Sequence, residues 1–379
     1  MRVLIIKKGV STIGGSEAHA RTLARTLAAR GHDVTLVGAR PPWPRAGLER
    51  AAEFRDGAAR VLLLPPRLGR VGATLDALLP ASLLDTRALR ERAGEVDVVH
   101  CVAREYAGAA ERLARDRGAA YVETPLVHPG QAFAGAGRRD IERYRRVDAV
   151  LALTEWERAW YVAHGVAPGR AHVTGSGPIV AAIPRGDPDP ATILFVGRRE
   201  RYKGYLAVVA AAPLVWRDHP DVRFVVIGQR AWHAALTNRG MPSRDPRWID
   251  LGVADEQTKA AAYGACTVFC MPSRHETFGQ TYLEAWLARR PVIAGDIPLL
   301  RELVDGAGLC VSQSPAAVAQ AILTLLADPA RARELGQRGF ELASTRYSWP
   351  AVAERVERAY AAAVDATHRH SSISRHSYP

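Results

Sequence analysis

Lysine is nearly missing from this chain: Lys7, Lys8, Lys203 and Lys259 are the only lysines among 51 basic residues. Where arginine serves for almost every positive charge, a lysine that persists marks a place for a compact ammonium group. Cysteine is as scarce, with Cys101, Cys266, Cys270 and Cys310, and only Cys266 and Cys270 stand close in sequence. Without further ligand types beside them, these cysteines support neither a disulfide framework nor a metal site and read as buried thiols. No stretch comes near the ~20 apolar residues that a membrane span requires. The apolar run Val3–Ile6 is closed at once by Lys7 and Lys8, which is too short for a secretion signal. The expected location is therefore the cytoplasm. Aromatic residues make up 7% and are not interleaved with the basic ones, so a nucleic-acid partner is not expected despite a net charge of +12. That excess sits mainly in the first half, with 27 basic against 19 acidic residues in 1–175 and 24 against 20 beyond.

What is present is an ordinary globular composition, 48% hydrophobic and 24% charged. The 379 residues exceed the roughly 100 to 200 that one core usually organises, so two domains are expected. Short Val/Ile/Leu runs alternate with Ala/Leu/Arg stretches of helical period, which predicts parallel sheets covered by helices. In the first half the strands are expected at Val3–Ile6, Val34–Val37, Ala59–Leu64, Val96–His100, Ala120–Thr124 and Ala149–Leu153, with a helix at Ser16–Arg30. From Gly175 to Ala191 the chain reads GSGPIVAAIPRGDPDPA, the texture of a linker. A second series follows, with strands at Ile193–Val196, Arg223–Ile227, Trp248–Leu251, Val268–Met271, Pro291–Ala294 and Gly308–Val311 and helices at Thr277–Ala288 and Pro315–Leu326. The expected division is 1–175, 176–347, a closing helix over 348–365 that begins at Ser348-Trp349-Pro350, and a disordered tail over 366–379.

Three segments carry chemistry. The first βα turn holds Gly14 and Gly15 before a helix start, where backbone amides suit a phosphate. It does not follow the G-x-G-x-x-G spacing, and no acidic ribose ligand ends the second strand, so a tight structural turn is an equal reading. The first strand of the second half ends in GRRERYKG, which places Arg198 and Lys203 on one loop, where two cations neutralise a diphosphate without a metal. Arg199 and Arg201 read there as a solvated basic turn. The third segment is PSRHETFGQTYLEAWLARRPVIAG, with Glu276 and Glu284 eight residues apart. Glu276 before a helix and Glu284 in its second turn lie up to ~12 Å apart at ~1.5 Å per residue, the reach of a nucleotide sugar. The helix start at Gly279–Thr281 aims its positive dipole between them.

These segments together resemble the family 4 glycosyltransferases, whose signature is two glutamates separated by seven residues in a P-S-x-x-E-x-F-G context. Pro272, Ser273, Glu276, Phe278, Gly279, Glu284, Ala285, Pro291, Val292 and Ile293 match, as do the Gly-Gly-x-Glu start, Gly-His-x-Val at 31–34 and the Gly-Arg and Lys-Gly pairs of 197–204, in order over roughly residues 1–365. The resemblance implies a GT-B fold of two Rossmann-like doubly wound α/β domains facing a central cleft, with the donor held by the second and the last helix returning to the first. It implies retaining transfer of a sugar from a nucleotide diphosphate donor to a small-molecule, glycan or lipid-linked acceptor, with no cofactor and no metal. Carried over by residue, it implies that Arg198 and Lys203 hold the diphosphate and that Glu276 meets the transferred sugar. Backbone amides from Phe278 through Gly279 and Gln280 to Thr281 would hold sugar and phosphate, Glu284 the ribose, and Gly15 would approach the phosphate or acceptor. His128 would face the sugar from the first domain; a structural histidine is the other reading.

The chain departs from the family at Arg289, where glycine is frequent, and in GSGPIV, which lacks Asn-Gly-Val-Asp. Acceptor contacts are expected on 40–58, 65–95 and 129–146, where Arg67, Arg70, Arg138, Arg139, Arg143, Arg145 and Arg146 meet an anionic acceptor or a membrane periphery, or form a solvated face. Three rivals remain at this stage. A metal-dependent GT-A enzyme would use Asp187-Pro188-Asp189, although that motif lies in the proline-rich linker. A nicotinamide oxidoreductase would share the fold class. A non-catalytic nucleotide-sugar binding protein would share the site.

Overall fold

The computed structural model describes residues 1–11, 14–40, 52–65, 84–127, 135–180, 183–184, 186, 192–229 and 245–376, with side chains of the last helix described to Arg369. His128, Arg67, Arg70 and Asp187-Pro188-Asp189 lie outside these residues. The chain divides into two compact units, Met1–Ser176 with Trp349–Pro379, and Gly177–Ser348, and the first break falls inside the Gly/Pro-rich stretch.

The first unit is built on strands β1 (Arg2–Ile6), β2 (Asp33–Ala39), β3 (Glu53–Asp56), β4 (Ala59–Leu64), β5 (Val98–Val102), β6 (Ala120–Thr124), β7 (Ala149–Ala152) and β8 (Ala171–Val173). They lie in the order β3-β4-β2-β1-β5-β6-β7-β8, and only the β3–β4 pair is antiparallel. β5 and β6 are buried along their whole length because parallel strands are covered on both faces. One face holds Leu4, Ile6, Val99, Cys101 and Tyr121. The other holds Val3, Ile5, Leu36 and Val122, covered by Leu23 and Leu27 of α1 (Gly15–Ala29) and by Val352, Val356 and Tyr360.

Those last residues belong to a helix that runs Trp349–His376. The disordered tail expected from residue 366 is therefore corrected as far as His376. Nothing in Ala366–His376 is proline or glycine, so hydrogen bonding propagates from a helix already anchored upstream. β3 and β8 escaped the sequence reading: EFRD is a polar edge strand and AHV has three residues, both too short to show a period.

The second unit orders β9 (Thr192–Val196), β10 (Arg223–Ile227), β11 (Trp248–Gly252), β12 (Val268–Met271), β13 (Val292–Gly295) and β14 (Gly308–Val311) as β11-β10-β9-β12-β13-β14, all parallel. Counted from β9 this is the doubly wound order 3-2-1-4-5-6, whose direction reverses between β9 and β12. Ligands of open α/β sheets bind outside the carboxyl ends of the strands at that reversal. The loops that leave β9 and β12 carry the Arg198–Lys203 and Glu276–Gly279 segments.

Candidate active site

Five of the described α-helices start on a side-chain cap, as when Asp255 accepts from the Thr258 amide at 2.7 Å and Ser314 from the Ala317 amide at 3.2 Å. The helices that follow β1, β9 and β12 do not. They begin after Gly14, Gly204 and Gly279, each with positive φ and no capping side chain. Gly204 has φ 81°, and a Cβ there would lie 2.5 Å from the Pro272 carbonyl oxygen. That glycine lets the loop after β9 lie directly against the loop after β12.

The two loops are stitched at a single carbonyl. The Tyr202 oxygen accepts from the Arg274 amide at 2.7 Å, Ser273 Oγ at 3.2 Å and Gln313 Nε2 at 3.1 Å. Gln313 Nε2 also donates to the Pro272 carbonyl at 2.8 Å. Gln313 had no sequence signal, because its role depends on the end of β14 arriving beside both loops.

This stitching brings Lys203 and Glu276 together: Nζ lies 2.6 Å from Oε1, with the side chains 17% and 6% exposed. Arg198 is 61% exposed, donates to the Tyr202 hydroxyl and lies 3.5 Å from Glu200. Both cations sit about the Tyr202 ring, each 5.5 Å from its centroid, and burial pushes the Tyr202 phenol up to about 12. Arg199 corrects the sequence reading. It is buried, not solvated, and grips Asp250 of β11 with both terminal nitrogens, anchoring the loop root to the far side of the sheet. Arg201 is exposed, as a solvated turn residue would be.

Downstream, α8 (Gln280–Leu287; α2 to α7 precede it at Thr86–Arg92, Ala107–Arg117, Arg138–Tyr144, Glu155–Ala163, Tyr205–Asp218 and Glu256–Ala265) starts four residues after Glu276, with Glu284 in its second turn. Gly279 has φ 100°, and an added Cβ would stand 2.6 Å from the Tyr282 ring. Phe278 is a core residue, 2% exposed and edge-on to Tyr347 at 5.4 Å, so only its backbone is available to a ligand. Gln280 Nε2 donates to the Gly177 carbonyl at 3.2 Å, and Thr281 Oγ1 lies 3.9 Å from Met271 Sδ.

Glu284 is 1% exposed. Its Oε2 accepts from the Tyr263 hydroxyl at 2.6 Å and its Oε1 from the Ile179 amide at 3.3 Å. Burial raises its pKa, and the Tyr263 hydroxyl and the charge of Lys259 only partly counter this. A carboxylate offers about four acceptor positions, and the Tyr263 hydroxyl and the Ile179 and Val180 amides take three of them, which leaves one for a ligand hydroxyl. Arg289, where the family often has glycine, adopts φ 57°, so the backbone takes the left-handed turn even with a side chain. Its guanidinium stacks over Phe340 at 3.8 Å and donates to Gln337 at 2.7 Å.

In the first unit Gly15 is the first residue of α1. Ser16 Oγ donates to Glu17 Oε2 at 2.7 Å beside Gly14. Further along the helix, His19 Nδ1 lies 2.8 Å from Ser176 Oγ, and its ring meets Trp349 at 5.5 Å. His19 thus touches the points where the chain leaves this unit and comes back to it. Arg143 is neither solvated nor free for an acceptor. It is 12% exposed and pairs with Glu123 at 2.7 Å and Asp140 at 3.0 Å. Arg138, Arg145 and Arg146 instead meet Glu142, the His164 carbonyl and Glu111. The cysteines are unpaired, with Cys101, Cys266 and Cys270 buried. Among the described residues no helix is long and apolar enough to cross a membrane.

Comparison with known proteins agrees with this architecture. Residues 14–177 match the model of the glycosyl transferase 4-like domain, and residues 190–328 that of the glycosyl transferases group 1. The glycogen synthase of Mycobacterium tuberculosis is 26% identical, with 96% of this chain and 95% of the relative aligned. A D-inositol 3-phosphate glycosyltransferase of Acidothermus cellulolyticus is 29% identical over 93% and 86%. Among solved structures, sucrose-phosphate synthase from Thermosynechococcus elongatus superposes with a TM-score of 0.78 at 21% identity, over 95% of this chain and 98% of that one. Anabaena HepE, solved in complex with UDP and glucose, superposes at 0.72 with 17% identity over 94% and 98%. These matches run against the nicotinamide alternative. The chain belongs to the group 1 glycosyltransferases and has their GT-B fold of two parallel-sheet α/β domains.

Proposed function

We propose that this glycosyltransferase takes its sugar from a nucleoside diphosphate donor, needs no metal, and retains the anomeric configuration. The observation that supports this most directly is the grouping of Arg198, Lys203 and Glu276 with the uncapped start of α8 at the reversal point of the second sheet. Two cations and a helix dipole there meet the charge that grows on a departing diphosphate. In this reading the two cations carry that charge without a metal. Glu276 holds hydroxyls of the transferred sugar, Glu284 the ribose, and backbone amides over Phe278–Thr281 the phosphate. The acceptor hydroxyl attacks from the face the leaving group departs, and the leaving phosphate oxygen takes its proton, so no carboxylate nucleophile is needed. From the resemblance alone, Gly15 and His128 are the residues of the first domain assigned to the phosphate or acceptor and to the sugar. Uridine nucleotides are the first donors to try, since HepE was solved with UDP and with UDP-glucose. The relatives' names, a glycogen synthase and a D-inositol 3-phosphate glycosyltransferase, make polyhydroxylated acceptors the first class to test.

The test is a thermal-shift panel of nucleoside diphosphates and their sugars with and without EDTA, followed by NMR of the product anomer. Ligand at ~100 times its Kd adds about 2.7 kcal/mol to stability. The expected result is a rise selective for one base, unchanged by EDTA, and a product of retained configuration. Lys203→Ala should lower kcat by on the order of 10², as for other preorganised charge stabilisers. Activity abolished by EDTA, an inverted product or an unchanged Lys203→Ala enzyme would each remove the corresponding part of the reading.

A further inference from the structure

We infer that Glu276 is an internal competitor of the donor's diphosphate: it holds Lys203, gives it up to a nucleotide sugar, and reclaims it when only the nucleoside diphosphate is left. The inference rests on the donor reading above and concerns how the same site tells donor from product.

Both cations of the site are paired with carboxylates, but unequally. Arg198 and Glu200 lie 3.5 Å apart with side chains 61% and 29% exposed, an arrangement that water screens. Lys203 and Glu276 lie 2.6 Å apart and are 17% and 6% exposed, so their attraction acts with little solvent between them. A diphosphate that takes Lys203 leaves the Glu276 carboxylate buried, without its ammonium partner and beside new negative charge. Such a group is costly unless another donor reaches it. The sugar of an intact donor supplies hydroxyl donors to Glu276. A bare nucleoside diphosphate supplies none. The exchange is thus nearly balanced for the donor and uphill for the product, which favours product departure after transfer.

The experiment is calorimetric titration of the full chain with the responding nucleoside diphosphate and its sugar, in the wild type and in Glu276→Gln and Glu200→Gln. Removing the competing charge in Glu276→Gln should tighten the bare nucleoside diphosphate by about tenfold, the scale of a charged hydrogen bond. The intact donor should not tighten with it, so the preference for donor over product collapses while kcat falls. Glu200→Gln, which removes the same charge from an exposed pair, should change product affinity by less than about twofold. If Glu276→Gln does not fold, Glu276→Asp draws the carboxylate back from Nζ and should tighten the product in the same direction. Product affinity unchanged or weakened in the Glu276 variants, or tightened equally in Glu200→Gln, overturns the inference with the donor site intact. A wild-type chain that binds no nucleoside diphosphate and no sugar of one overturns the donor reading itself, and this inference with it.

Discussion

Glu284, Phe278 and Gly279 share one short segment and do three different things, which gives each substitution its own signature. Glu284 holds Tyr263 and the Ile179 amide from a site that is 1% exposed, and burial works against its charge. Glu284→Gln keeps the volume and removes that charge. Its Tm should stay near that of the wild type, while the stabilisation by a nucleotide is lost, and a thermal-shift assay reads both. Phe278 is packed into the core, so Phe278→Ala should cost ~3 to 5 kcal/mol in urea unfolding, a stability effect and not a loss of ligand contact. Gly279→Ala sets a Cβ 2.6 Å from the Tyr282 ring at φ 100°. It should impair activity and lower the unfolding midpoint together, because the strain falls on the helix start itself. The glutamate spacing was legible from sequence, since helical geometry alone sets Glu284 one turn into α8. The ion pair between Lys203 and Glu276 was not, because residues 73 apart in sequence meet only through sheet order.

Two elements arrange these residues from a distance. Gln313, just past β14, donates to the Tyr202 and Pro272 carbonyls and so acts as a positioning residue for both loops. Gln313→Leu should lower kcat with a smaller change in KM for the donor, and a steady-state comparison shows the split. The closing helix buries Val352, Ala353, Val356, Ala359, Tyr360 and Ala363 in the first unit. The Tyr360 hydroxyl lies 2.7 Å from His100 Nδ1. Deleting residues 367–379 leaves every one of those contacts and should shift Tm little, whereas deleting 349–379 opens one face of the first sheet and should leave that unit unfolded. Sequence reading located the start of this helix from Ser348-Trp349-Pro350 but ended it at 365. The helix goes on because an anchored helix extends through residues that would not form one alone.

At the scale of the whole chain, the second unit is continuous over Gly177–Ser348 while the first needs both ends of the sequence. Residues 177–348 produced alone should therefore fold and bind the nucleoside diphosphate, as circular dichroism and calorimetry can check. Two buried histidines give the first unit a pH dependence of its own. Burial lowers His19 to about 4 and His100 to about 3, below the unfolded value of about 6.5. Between those values the unfolded chain binds more protons, so their contribution is fully present above pH ~6.5 and is lost as pH falls toward 4. The urea midpoint of the first unit should drop over pH 6.5 to 5, and His19→Asn should flatten part of that slope. The sequence by itself determined the alternation of strands and helices and the break near Ser176, because these follow from local periodicity and from glycine and proline chemistry. Only the tertiary structure decided that Arg199 is buried against Asp250, that Arg143 pairs with Glu123, that Gln313 clamps the site loops, and that Lys203 is held by Glu276. Each of these depends on which strands lie side by side, a long-range outcome that no single stretch of the chain encodes.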